Sequence, residues 1–152
     1  MEEFAKRFPE SLNGGKLSLN ILSDASNRLD AEDLQDALII GHVFGFPSES
    51  EEILCGLVSQ LWHHSHEDLV SSITRSGFSD ERTCSALYDA TQITPLYLEY
   101  DESRALAVKA IWALGEIPGR CSEERLETLT RSPAAILREA AKDQLGRRRG
   151  AD

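Results

Sequence analysis

A chain of 152 residues has the length for one hydrophobic core and little room for a second. Its 41% hydrophobic and 28% charged residues exclude a wholly disordered polymer, and no apolar run approaches the roughly 18 residues of a membrane crossing. The net charge is −10, with 4 basic and 11 acidic groups over residues 1–60 against 8 and 6 over 119–152. Such a surface repels phosphate backbones over most of its length, which argues against nucleic acid, and it steers basic partners inward.

Strand signals are weak, whereas apolar residues recur at helical spacing. Phe4 to Leu12 and Leu17 to Leu29 read as helices, followed by Asp30 to Gly41 with Leu34, Leu38 and Ile39 on its apolar face. Pro47 breaks the chain, and Ser48 and Ser50 are cap signals for Glu51 to Trp62, with Ile53, Leu54, Leu57, Val58 and Leu61 inward. Ser65 to Asp68 supplies a cap and acidic first turn for Leu69, Val70 and Ile73, closed near Gly77. Ser79 or Asp80 caps a helix to Gln92 that sets Cys84, Leu87, Tyr88 and Thr91 on one face. The clearest stripe runs from Asp101 to Ile117: Leu106, Ala107, Ala110, Ile111, Ala113, Leu114 and Ile117. Ser122 to Thr130 carries Leu126 and Leu129. Pro133 opens a last helix with Ile136, Leu137, Ala140, Ala141 and Leu145.

Short helices joined by short turns pack against their neighbours, so internal repetition is informative. Leu106 to Gly115 superposes on Leu137 to Gly146, sharing an apolar start, small residues in the middle and a Leu-Gly close. The preceding helices match Cys84 and Leu87 to Leu126 and Leu129, with Gln92 to Asp101 as an insertion in the first unit. This pattern resembles the second helix of HEAT repeats of the short bacterial type. The resemblance implies an all-α solenoid of about three antiparallel helix pairs, 51–62 with 66–76, 80–92 with 102–117, and 123–131 with 134–147. It would form one domain over 1–152, with 1–48 as an N-terminal helical cap and 49–148 as repeats; a generic helical bundle is the other architecture the pattern allows. Within that family, His66-Glu67-Asp68, Leu87-Tyr88, Tyr97 to Glu102 and Ala105 to Leu114 are similar to small bacterial HEAT-like immunity proteins of polymorphic toxins.

Chemistry-bearing residues are few. His63, His64, His66, Glu67 and Asp68 place two donor pairs at i,i+4, but across an expected helix boundary and without a second ligand cluster; capping or solvation by His66 or Ser65 is the plainer reading. No metal or cofactor is expected. Leu96 to Glu102 combines aromatics with carboxylates, the composition of a protein-binding edge, although Tyr97 and Leu98 tucked under the loop and carboxylates favouring the next helix N-terminus would explain it equally. Trp62 and Trp112 fall on apolar helices and suit packing; Lys109 and Arg138 suit surface ion pairs, and Arg147 to Arg149 a frayed, dipole-capping end. Asn13 to Lys16 is a turn rather than a phosphate loop, and nucleophile-elbow and CxxC motifs are missing, so an enzyme is not expected.

The acidic N-terminal stretch lacks the basic start of a signal peptide, and Cys55, Cys84 and Cys121, odd in number and widely spaced, read as free thiols; both point to the cytoplasm. Taken with the resemblance, these features imply a protein-binding module that neutralises a basic toxin domain. Glu67, Asp68, Tyr97, Glu99, Tyr100, Asp101, Glu102 and Trp112 would be its contacts. A HEAT-like accessory protein of an enzyme, as among chromophore-lyase relatives, and a self-associating scaffold are the alternatives.

Overall fold

The computed structural model describes residues 14–102 and 104–150, and all of its regular structure is helical. The helix expected over Phe4 to Leu12 lies outside the described residues. The chain divides into two compact units, Met1–Phe78 and Ser79–Asp152. Among the described residues no helix is long and apolar enough to cross a membrane.

In the first unit, α1 (Gly14–Arg28) and α2 (Ala31–Phe44) are joined at Leu29 and Asp30. The Asp30 carboxylate accepts the Asp33 amide at 2.9 Å, relieving one of the orphan donors of a helix start. The inward face of α2 is Leu34, Ala37, Leu38 and Gly41, with Ile40 beside them; Ile39, expected in the core, is 57% exposed. Gly41 is required where it stands, because a Cβ there would collide with the Phe46 ring lying on the helix backbone.

After a 3-10 turn at Ser48–Ser50, α3 (Glu51–Leu57) is shorter than the periodicity predicts. Neither expected cap is realised: Ser48 Oγ bonds Glu49, and the buried Ser50 hydroxyl makes no hydrogen bond among the described residues. The helix stops at Leu57, leaving Leu61 exposed and Trp62 in the following loop, half-buried, rather than on an apolar helix. Then α4 (His66–Ser76) buries Leu69, Val70 and Ile73 as predicted and closes on Gly77 at φ 74°, the left-handed conformation that glycine adopts without cost. Helices α1 and α3, α2 and α4, and the sequential pairs α1/α2 and α3/α4 pack together.

Two glycines in this unit give opposite expectations. An alanine at Gly56, where a Cβ meets nothing, raises stability by about 1 kcal/mol through helix propensity. At Gly41 the same change drives out the Phe46 ring and costs a net 1–2 kcal/mol by rough overpacking arithmetic. Denaturant midpoints moving the same way for both variants would refute the close approach at Gly41.

The second unit is formed by α5 (Glu81–Gln92), α6 (Ala105–Glu116), α7 (Arg120–Leu129) and α8 (Ala135–Gly150). Asp80 is the N-cap of α5, accepting the Thr83 amide at 3.1 Å. All seven apolar residues predicted on the Leu106–Ile117 stripe are buried, as are Leu126, Leu129, Leu137, Ala140, Ala141 and Leu145; Ile136 is not. Each helix packs on the next, and α5 also meets α7 while α6 meets α8.

Two sequence expectations are corrected in this unit. Cys84 and Cys121 form a disulfide, with Cα atoms 6.3 Å apart, leaving Cys55 as a buried thiol. The spacing of 37 residues gave no hint, because the pairing depends on α5 packing against α7. The arginine-rich end is not frayed either. Helix α8 runs to Gly150, and Arg148 ties it to the start of α7, donating to Ser122 Oγ in its first turn at 2.8 Å and to the carbonyl of the N-cap Gly119 at 3.0 Å. Arg138 donates to the Ser132 carbonyl at 3.1 Å as well as lying 3.6 Å from Glu139.

Candidate functional site

The residues expected at an interface fall in both units. Glu67 and Asp68 occupy the first turn of α4, where carboxylates favour the positive end of the helix dipole; Glu67 is half-buried and Asp68 exposed. Tyr97, Glu99, Tyr100, Asp101, Glu102 and Trp112 belong to the second unit, five of them on the connection between α5 and α6.

That connection is stiffened by its own backbone. Pro95 leads into a 3-10 turn at Leu96–Leu98, and the amides of Leu98, Glu99 and Asp101 donate to the carbonyls of Pro95, Leu96 and Leu98 at 2.9, 3.1 and 3.0 Å. Leu98 is half-buried and lines one small cleft with Ile93, Pro95 and Leu106. Asp101 also works inside the fold: its carboxylate accepts the Ala105 amide at 3.0 Å, capping α6 across Arg104, which takes a left-handed φ of 54°. Leu96 and Tyr100 face outward, 84% and 89% exposed, and Tyr97, Glu99 and Glu102 are exposed as well. The two readings of this segment therefore divide residue by residue. Leu98 and Asp101 build the connection, and Leu96, Tyr97, Glu99, Tyr100 and Glu102 line its outer edge.

Trp112, which its place on the α6 stripe predicts to pack, is 56% exposed. Its neighbours Ile111 and Ala113 take the inward positions, so an indole stands on the outer face of a helix whose other side is wholly apolar. Exposed tryptophan, tyrosine and leucine together are costly in water and are the residue types that anchor interfaces.

The histidine cluster performs a different task. His63 and His66 are fully buried, stacked with ring centroids 4.3 Å apart. Each Nε2–H donates to a backbone carbonyl, His63 to Leu57 at 2.8 Å and His66 to Gln60 at 2.7 Å. The Ser65 amide donates to His63 Nδ1 at 3.1 Å, so both nitrogens of that ring are committed and its tautomer is fixed. His63 thus caps the carboxyl end of α3 at Leu57, and His66 holds the Gln60 carbonyl of the turn that follows it. Burial pushes both imidazoles below their ordinary pKa, with the Leu57 and Gln60 carbonyls opposing that shift. Among the described residues no group of three or more His, Cys, Asp or Glu is placed to hold a metal ion.

Sequence reading passed over a concave face of the first unit, between α2 and α4, where Ile39 and Val43 are exposed beside Phe46 and Arg75. Its signal in the sequence was a glycine, Gly41, inside an apolar helical run, followed five residues on by an aromatic. Comparison with known proteins brings no match: no family model, curated protein or solved structure is similar to this chain.

Proposed function

We propose that the chain is a protein-binding module of HEAT-like helix pairs, and that it neutralises a basic toxin domain as an immunity protein by covering its active site or substrate groove. The observation that carries this reading is the outer edge of the α5–α6 connection, where Leu96, Tyr97 and Tyr100 are exposed on the same short segment as the exposed Glu99 and Glu102. Aromatics there supply contact area at small entropic cost, and the carboxylates select lysine or arginine opposite them. The net charge of −10 adds long-range attraction for a basic protein. For the repeat, support comes from the contacts of α5 with α7 and of α6 with α8, as when one helix pair stacks on the next. The reading needs no catalytic group and no cofactor. It also no longer leans on the cysteines for a reducing compartment, since two of the three are bonded to each other.

The test is capture of partners from the native lysate on the tagged chain, washed at low and at high salt. A stoichiometric basic protein released at high salt, and lost when Glu99 and Glu102 are both changed to lysine, is the expected result. That double variant leaves the melting temperature unchanged, because both side chains are exposed. Asp101→Lys, by contrast, removes the α6 cap and costs about 1 kcal/mol of stability. Recovery of the chain alone, with a mass that rises with concentration, would replace this reading with self-association.

A further inference from the structure

The concave face between α2 and α4 encloses a pocket of about 490 Å³, within the size range of small-molecule sites. Leu38, Ile39 and Val43 of α2 form an apolar wall, and the Phe46 ring closes one end, held there because Gly41 has no Cβ to displace it. At α4 the lining turns polar. Arg75 projects its guanidinium against His42, with Nη1 nearest the imidazole Nδ1, and among the described residues no carboxylate lies within ion-pair distance of Arg75. An arginine set against an imidazole rather than a carboxylate has no counter-charge on it, and its remaining N–H groups can serve a ligand. Asp68 lies on the same helix and also borders the pocket, about 10 Å along the axis from Arg75 at 1.5 Å per residue. The wall is therefore apolar, one end is cationic, and the other end is anionic.

We propose that this pocket binds a small amphipathic acid, with one carboxylate on Arg75 and an aliphatic or aromatic body along Leu38, Ile39, Val43 and Phe46. Asp68 repels an anion and so fixes the orientation, head group toward Arg75. The chemistry excludes the neutral and cationic counterparts of the same chain length as equal ligands. A neutral head forgoes the charge-assisted hydrogen bonds, and an ammonium meets the guanidinium.

The probes are decanoate, decan-1-ol and decylammonium, each titrated below its micellar concentration into the full chain and followed by calorimetry. Decanoate binds saturably at one site per chain, and the alcohol and amine bind about tenfold more weakly or less. Arg75→Gln weakens decanoate by a similar factor without moving the melting temperature, since Arg75 is exposed. Val43→Asp, also at an exposed position, abolishes binding by placing a second anion beside the apolar wall. The proposal fails if decanoate does not saturate, if the alcohol binds as well as the acid, or if Arg75→Gln leaves the affinity unchanged. It fails too if light scattering shows a dimer that Val43→Asp dissociates, because a second copy then covers this face.

Discussion

Reduction of the Cys84–Cys121 disulfide will weaken the Ser79–Asp152 unit by about 4 kcal/mol, the loop entropy of a cross-link spanning 37 residues. For a unit of this size that corresponds to a fall of roughly 15 °C or more in melting temperature. The bond joins α5 to α7, two helices not consecutive in the chain, and so restrains the unfolded ensemble across the whole α6 hairpin between them. Cys84 is fully buried and Cys121 half-buried, so a reductant approaches the bond from the Cys121 side. The measurement is denaturant unfolding followed by circular dichroism, with and without a phosphine reductant, paired with alkylation and mass analysis. One alkyl group on the unfolded, unreduced chain and three after reduction are expected. Three groups before reduction, or identical unfolding curves, would show that the thiols are merely neighbours.

Much of the fold was legible because its signal is local. The α6 stripe is specified by spacing within a dozen residues, and Leu106, Ala107, Ala110, Ile111, Ala113, Leu114 and Ile117 are all in the core, though Trp112, which also suited packing, is not. Asp80 likewise declares the start of α5 by its chemistry alone. What escaped was set by partners distant in sequence. Glu51 to Trp62 carries apolar residues at helical spacing throughout, yet α3 ends at Leu57, where His63 reaches back for the Leu57 carbonyl while His66 holds the Gln60 carbonyl of the following turn, and a ring caps a helix only where the chain can turn. Ile39 looked like core because α2 is apolar on more than one side; which side faces inward depends on α1 and α4, and Leu34, Ala37, Leu38 and Gly41 won that contest. The candidate edge was half legible. Composition marked residues 96–102, but only the 3-10 turn separates Asp101, which caps α6, from Tyr100 beside it, which meets solvent.

The histidine pair makes the first unit sensitive to acid in a direction that the geometry dictates. His63 accepts from Ser65 and donates to Leu57, so a proton added at Nδ1 would face the Ser65 N–H, and His66 and His64 lie close enough to disfavour a second charge. Both folded-state pKa values lie below the ordinary 6.5. Above pH 6.5 neither state binds these protons and the stability is fully present. As pH falls below that value the unfolded chain protonates first, so stability is lost at up to about 1.4 kcal/mol per pH unit for each histidine. The loss levels off once the folded-state imidazoles titrate. His63→Ala is expected to cost about 3 kcal/mol at pH 7.5, since it leaves the Ser65 amide without its acceptor, removes one of the two donors to the Leu57 carbonyl, which keeps the Gln60 amide, and opens a void beside Trp62. It should also remove roughly half of the acid-dependent slope, which separates the proton from the packing. Denaturant unfolding at pH 7.5, 6.5 and 5.5, together with imidazole proton shifts that mark each midpoint, decides the matter. Midpoints at or above 6.5, or a slope that His63→Ala does not change, would mean that the rings are solvated and that another contact ends α3.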